Sequence, residues 1–122
     1  MPALSRENAQ IEISDGGLEL RTAQAGDLTV GFARLPQGTD LRPALKGLPQ
    51  DLCQCPHWGY MMSGRLRMHT AEGEEDYEAG QVFYWPPGHA PEVLEDAELI
   101  DFSPTEEFRE VLEHIRSGGQ SA

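Results

Sequence analysis

The chain has 122 residues, enough for one compact domain with little room for a second. Its 9 basic and 21 acidic side chains give a formal net charge of −12, which repels nucleic acids and anionic membranes and excludes them as expected partners. No apolar stretch approaches the length of a membrane span, and the N-terminal "MPALSRENAQ" lacks the apolar segment of a signal peptide. We therefore expect a cytoplasmic protein whose two cysteines are reduced thiols.

The first half of the chain predicts short β-strands joined by glycine turns. Residues 1–9 are expected to be a flexible leader. "QIEIS" and "LELRTA" alternate apolar and polar residues on either side of Asp15-Gly16-Gly17, which predicts a hairpin, and "GDLTVGFARLP" predicts the next strand. Residues 36–50 are rich in proline and glycine and predict a loop, of the length that often forms a lid or a binding loop.

The second half continues the pattern of strands and turns. A strand is expected at 52–62, a tight turn at Ser63-Gly64 and a second strand at 65–70, followed by an acidic turn around Gly73. "QVFYWPPGHAP" predicts a strand that ends in a Pro-Gly turn. "EVLEDAELIDFSP" predicts a further hairpin or a paired edge strand.

The period of the apolar residues changes near the C-terminus and predicts an amphipathic helix over 105–116. Ser103 as N-cap and Glu106 as its capping-box partner predict where the helix starts, and the glycines at 118–119 predict where it stops. Residues 117–122 are expected to be a tail. The apolar residues that share one helical stripe are Phe108, Val111, Leu112 and Ile115.

Two short motifs carry a resemblance to a known family. Gly80, Pro86 and Gly88 in "GQVFYWPPG", and Gly64 after "HWGYMMS", match parts of G-x5-P-x-G-x2-H-x3-N and G-x5-H-x-H-x3-E-x6-G. These are the two motifs of the cupin superfamily, which the chain resembles over about residues 51–104, and it looks most like small bacterial single-domain cupins. The resemblance implies an all-β, cupin-type jelly-roll barrel, a small-molecule ligand and a homodimer.

We place the barrel at 10–104, ahead of the C-terminal helix. The chain departs from the motifs at most of the positions where cupins hold a metal. The motif glutamate is His57, and the two histidines of the first motif fall on Asp51 and Cys53. The histidine position of the second motif holds Pro91, and a histidine, His89, stands two residues earlier. The usual set of three histidines and one glutamate is therefore absent.

Sulfur and imidazole groups stand near these positions and predict a different metal site. Alternate residues of a strand share a face, so Asp51, Cys53, Cys55 and His57 are expected on one face, which in a small barrel points inward. Together with His89, the two cysteines and His57 offer two sulfurs and two nitrogens. A tetrahedral set of this kind suits a divalent transition metal, zinc above all, and argues against Mg²⁺ or Ca²⁺.

Strand geometry limits which of these residues can share one ion. In a straight strand the Cα atoms of Cys53 and His57 lie about 13 Å apart, too far for a common metal. A bend or bulge at Pro56, which has no N–H for the ladder, would shorten this distance. Without a bend, only Cys55 with His57, or Cys53 with Cys55, can bind the same ion.

Two classes of function follow, and the sequence leaves open which is correct, as it leaves open the substrate, the metal and the reaction. The first is a metal-dependent enzyme with three protein ligands, such as Cys55, His57 and His89, and with Asp51 or Glu92 moving protons. The second is a non-enzymatic ligand, metal or redox sensor in which all four candidates form a closed Cys2His2 site.

Two further possibilities rank below these. One is a Cys–His nucleophilic pair formed by Cys55 and His57, which lacks a glycine turn or helix N-terminus to build an oxyanion hole. The other is a metal-free cupin whose barrel binds a ligand through aromatic walls.

Overall fold

A computed structural model of the chain describes residues 3–118. Seven β-strands account for most of this range, and one α-helix follows them. Three short 3-10 helices lie at Arg6–Asn8, Pro43–Leu45 and Pro49–Asp51. The strands are β1 (Gln10–Asp15), β2 (Leu18–Ala25), β3 (Leu28–Leu35), β4 (His57–Thr70), β5 (Gly73–Glu78), β6 (Val82–Trp85) and β7 (His89–Pro104), and the helix is α1 (Thr105–Arg116).

All strand pairs are antiparallel, in the order β1-β2-β3-β7-β4-β5, with β6 also paired to β4. The 16-residue β7 is the central strand, since it pairs with β3 on one side and with β4 on the other. The predicted hairpin or edge over 92–104 is therefore wrong, because the segment is part of one continuous strand that is paired on both sides over 98–102. The predicted fold class, an all-β protein with a C-terminal helix, is confirmed.

Two clusters of buried side chains lie on the inner side of the sheet. The larger one includes Met61 and Leu66 of β4, Phe83 and Trp85 of β6, and Leu99 of β7. The smaller one is covered by α1 and by the 36–52 segment. Its members are Leu45, Cys53, Cys55 and Ala90, with Leu41, Leu48, Leu52, Phe108, Val111 and Ile115 packed against them.

The predicted turn at Ser63-Gly64 is wrong, because β4 runs without interruption from His57 to Thr70. Its register with β7 is irregular between Met61 and Leu66, so the glycine lies at a bulge. Gly64 has a φ of +81°, and a Cβ there would lie 2.1 Å from the carbonyl oxygen of Asp96. The residue is needed for a kink and a close backbone approach, and the strand continues beyond it.

The predicted strand at 52–62 is wrong over its first five residues. The chain makes a 3-10 turn at Pro49–Asp51, with Gln50 and Asp51 at positive φ, and β4 begins only at His57. Between them, Cys53 forms an isolated bridge with His89. Proline at position 56 offers no N–H to a ladder, which agrees with a strand that starts directly after it. Residues 51, 53, 55 and 57 therefore do not share one strand face.

The C-terminal helix spans Thr105–Arg116, and its N-cap position is Pro104. The predicted capping role of Ser103 is wrong, because Ser103 is a fully buried residue of β7 whose hydroxyl contacts His57. The backbone N–H of Thr105 instead donates to the carbonyl of Asp27 at 3.2 Å. No helix within residues 3–118 has the length and apolar character needed to cross a membrane.

The predicted leader and tail fall partly within the described range. Arg6 lies in the first 3-10 helix and forms an ion pair with Glu19 of β2 at 3.0 Å. Residues 1–2 of the leader and 119–122 of the tail, including the predicted helix stop at Gly119, lie outside the described residues.

Candidate metal centre

The structure brings three of the four predicted ligands together. One side-chain donor atom from each of Cys53, His57 and His89 lies within 4.8 Å of the other two. Cys53 Sγ is 3.7 Å from His57 Nε2. The backbone explains the convergence: Cys53 N–H donates to His89 O at 2.8 Å, and the turn before β4 replaces the straight strand that would have separated Cys53 from His57.

Each imidazole is oriented by a partner on the nitrogen that faces away from the cluster. His89 Nδ1 lies 2.8 Å from the carbonyl oxygen of Pro86, which can only accept, so Nδ1 carries the proton and Nε2 is left with its lone pair. His57 Nδ1 lies 2.6 Å from Ser103 Oγ and 3.8 Å from Asp101 Oδ2, while Nε2 faces Cys53. Metal-binding histidines characteristically have such outer partners.

Burial sets the protonation state of the three side chains. It lowers the pKa of His57 to about 3, with a smaller contribution from His89, and it also lowers the pKa of His89, so both imidazoles are neutral at pH 7. Burial raises the pKa of the Cys53 thiol to about 11, and a hydrogen bond with the Cys55 backbone offsets part of this rise. Two nitrogen lone pairs are thus available as ligands, whereas the sulfur needs a nearby cation to lose its proton.

The fourth predicted ligand, Cys55, is not brought into this group. It is fully buried, and its Sγ lies 3.5 Å from the carbonyl oxygen of Pro56. It packs with Leu45 and Ala90 in the smaller core cluster, and burial raises its pKa to about 12. Both cysteines are free thiols.

The two carboxylates that the sequence suggested for proton transfer also lie outside the group. Asp51 is exposed, and its Oδ1 accepts from the backbone N–H of Gly47 at 3.0 Å. Glu92 is 2.9 Å from His69 Nε2 and 3.7 Å from Arg42. Both carboxylates therefore bond to other parts of the chain.

Sequence reasoning missed Asp101 and Ser103, which support His57 from β7. They alternate with Leu99, a buried residue, so all three belong to the inner face of β7. This alternation in "ELIDFSP" is the signal that would have found them. Burial raises the pKa of Asp101 to about 7, partly offset by a hydrogen bond from the backbone N–H of Gly31. A Cβ on Gly31 would lie 2.5 Å from Asp101 Oδ1, so this glycine makes room for the buried carboxyl group.

A cavity of about 450 Å³ adjoins the cluster. Cys53, His57, His89 and Asp101 form part of its wall, and most of the remaining wall is aliphatic. Its size falls in the range of roughly 300–1,000 Å³ that is usual for small-molecule sites. The three converging donors are therefore accessible to a ligand from inside the fold.

No protein-family model and no curated protein matches the sequence. Solved structures do match. An RmlC-like cupin from Shewanella frigidimarina is 21% identical over 83% of this chain and 88% of its own, with a TM-score of 0.59. KdgF from Halomonas sp. is 21% identical over 82% of this chain and 92% of its own, also at 0.59.

The chain has the cupin fold. The polyketide cyclase RemF from Streptomyces resistomycificus shares it as well, at 14% identity over 85% of this chain and 79% of its own, with a TM-score of 0.62. At these identities the likeness shows the fold alone. The cupin resemblance inferred from Gly64, Gly80, Pro86 and Gly88 is thereby confirmed as a statement about architecture.

Proposed function

We propose that this cupin binds one divalent transition metal, best suited to zinc, through Cys53 Sγ, His57 Nε2 and His89 Nε2. The observation that carries the proposal is the convergence of three donors within 4.8 Å, from the buried Cys53 and His89 and the mostly buried His57. A thiol and two neutral imidazoles with their lone pairs gathered in a buried site lack the solvation that water would give them, which costs free energy unless a partner compensates. Zinc accepts both thiolate and imidazole ligands, whereas Mg²⁺ and Ca²⁺ prefer oxygen.

We further propose that a small molecule binds or reacts in the adjoining cavity. A zinc ion with three protein ligands keeps a coordination position for solvent or substrate, and it supplies Lewis acidity or an activated water. Ser103 and Asp101 hold the His57 ring, and the aliphatic walls exclude water. The Asp101 carboxyl group, with Oδ2 3.8 Å from His57 Nδ1, can accept or return a proton.

The alternative function is a sensor with a closed Cys2His2 site, which requires Cys55 as the fourth ligand. The contact of Cys55 Sγ with the Pro56 carbonyl favours the open, three-ligand site. The two sites differ in their number of sulfur ligands, so X-ray absorption spectroscopy of the zinc protein distinguishes them. One sulfur, two nitrogens and one light solvent atom support the open site, and two sulfurs with two nitrogens support the closed one.

Metal analysis of protein purified without a tag tests the proposal as a whole. We expect about one metal ion per chain and almost none in His57→Ala. His114→Ala is the matched control, because His114 bonds to the Lys46 carbonyl on the surface and is not part of the cluster. A correctly folded wild-type protein that takes up no transition metal when zinc is supplied would contradict the proposal.

A homodimer is the second part of the proposal, and it is supported by the exposed side of β7, β4 and β6. Six large apolar side chains project there with exposed fractions from 40% to 79%: Trp58, Tyr60, Met62, Val82, Tyr84 and Phe102. We call them the outer aromatic face. The strand register aligns Phe102, Trp58 and Tyr84 in one row and Ile100, Tyr60 and Val82 in the next. A contiguous apolar patch of this kind is typical of a protein interface.

We also propose a cytoplasmic location. Cys53, as a proposed metal ligand, must stay a reduced thiol. A reducing compartment keeps such thiols available as metal ligands. Fractionation of the native host and immunodetection of the protein test this location.

A further inference from the structure

We infer that the cavity selects a molecule with an apolar body and a single polar head group that reaches the Cys53/His57/His89 cluster. The inference deepens the proposed function and rests on it for the role of the head group. It concerns the chemical class of the ligand, which the three metal-binding side chains alone do not determine.

Four polar side chains of the cavity wall form one compact set. Asp101 Oδ2 is 3.8 Å from His57 Nδ1, and the donors of Cys53, His57 and His89 lie within 4.8 Å of one another. All four residues line the cavity. A ligand therefore finds its hydrogen-bonding and metal-binding partners gathered at one place, which suits one head group.

The walls that extend away from this set are hydrocarbon. The sheet contributes Leu20, Leu35, Leu66 and Leu99, and the loop and helix contribute residues such as Leu41, Leu45, Phe108, Val111 and Ile115. The apolar stripe of α1 thus forms part of the cavity wall. A hydroxyl group placed against this surface loses its hydrogen bonds to water without replacement, at a cost on the order of tenfold in affinity for each group.

Charged groups occur again at the surface end, where they bond to one another. Arg116 of α1 donates to Glu12 Oε1 of β1 at 2.7 Å and to the Glu12 carbonyl oxygen at 2.9 Å. The Arg116 side chain is 47% exposed, which places this pair at the protein surface. It joins the helix to the first strand beside the cavity. Apart from this pair and the polar set around His57, the cavity wall holds one charged side chain, the exposed Asp15.

A homologous series of straight-chain hydroxamic acids, from acetohydroxamic to octanohydroxamic acid, tests the inference by calorimetry. The hydroxamate binds zinc, and the chain reports on the cavity. We expect about fourfold tighter binding for each added CH₂ until the cavity is full. A hydroxamic acid of a six-carbon sugar acid should bind at least about a hundredfold more weakly than hexanohydroxamic acid.

Two cavity variants and one matched control locate the site. Ala44→Leu extends a residue that lines the cavity, so affinity should stop rising at a shorter chain length. Val111→Thr replaces a methyl group by a hydroxyl and should weaken the longest members several-fold while leaving acetohydroxamic acid unchanged. Glu110→Gln lies on the exposed side of the same helix and should match the wild type.

Measurement on zinc-loaded and metal-free protein separates the two proposals. The dependence on chain length tests the ligand class, and the difference between the two forms at equal chain length tests the metal. Flat affinity along the series, tighter binding of the sugar derivative, or no binding by either form at millimolar concentration overturns the apolar class. Equal binding to both forms, with no zinc taken up, overturns the metal and leaves the apolar class supported.

Discussion

Where residues 57–58 of β4 meet residues 101–103 of β7, the two faces of the sheet reverse the usual distribution of side chains. On the inner face lie His57, Asp101 and Ser103, three polar residues that are largely removed from solvent. On the outer face, one residue away from each of them along the strands, Trp58 and Phe102 are 45% and 40% exposed. Two strands of ordinary pleat thus hold polar groups inside and aromatic rings outside.

This inversion teaches that neither face is explained by the fold alone. Polar groups in an interior destabilise a protein unless they are satisfied, and a contiguous apolar surface destabilises it in water unless it is covered. A metal ion would compensate the inner face, and a second copy of the chain would compensate the outer one. The two explanations are independent, so an experiment can refute one of them without affecting the other.

The largest expected effect is on the inner face, through zinc removal. When free zinc is about a thousand times its dissociation constant, binding adds about 4 kcal/mol to the free energy of unfolding. Urea denaturation followed by circular dichroism, with and without chelator, should show this loss in the wild type and none in His57→Ala. Val82→Ser, a change on the outer face, should retain the full response to zinc. An equal midpoint for wild type with and without zinc would remove the inner-face explanation.

The next largest effect is expected on dimer formation, from a charged substitution on the outer face. Val82 is 79% exposed and pairs across the sheet with Tyr60, so Val82→Lys places a charge in the outer aromatic face with little disturbance of the chain itself. We expect the dimer dissociation constant to rise by at least about thirtyfold, or 2 kcal/mol, in sedimentation equilibrium. Gln10→Lys, on exposed β1, adds the same charge elsewhere and should leave the dimer intact. A wild type that stays monomeric at high concentration would refute this interface.

A smaller effect is expected where β7 supports His57, the proposed metal ligand. Ser103→Ala removes the hydroxyl that lies 2.6 Å from His57 Nδ1, which frees the ring to rotate. Loss of such an outer partner weakens metal affinity about tenfold or more, so competition with a chromogenic chelator should show a shift of this size. Ser117→Ala removes a hydroxyl that bonds only within the end of α1, and it should have no effect on affinity.

The fold was predictable from local patterns, since the alternation around glycine turns and the helical stripe each depend on neighbouring residues. One wrong prediction has a local cause. Gly64 lies at a β-bulge and was predicted to lie in a turn, because a glycine with positive φ is typical of both features. Ser103 precedes a helix and matches an N-cap, but its hydroxyl is used by a residue 46 positions away. The alternation with Leu99 indicates that Ser103 faces inward, but its contact with His57 depends on the long-range pairing of β7 with β4.

The site was predictable in residue type and only partly in arrangement. The cysteines and histidines stand out because together they offer sulfur and imidazole ligands near the positions where the cupin motifs hold a metal. Their geometry depends on the turn at residues 49–51 and on the bridge between Cys53 and His89, neither of which follows from strand periodicity. Asp101 was overlooked because a single acid in a strand is commonly exposed, and its burial depends on Gly31 in the neighbouring strand.

The smallest expected effect concerns Cys55 and sharpens the account of the inner face. Because its sulfur contacts the Pro56 carbonyl and not the cluster, Cys55→Ala should change zinc affinity by less than about threefold, whereas Cys53→Ala should abolish tight binding.

Proton release on zinc binding tests, without substitutions, whether Cys55 is a ligand. At pH 6, below the pKa of about 7 typical of zinc-bound water, the lowered pKa of His57 leaves it neutral, while the Cys53 thiol, with a pKa of about 11, must lose its proton to bind. Calorimetry in buffers of different ionisation enthalpy should therefore report about one proton released for each zinc ion. Release of two protons would mean that Cys55, whose pKa is raised to about 12, also binds, and the site would then be closed.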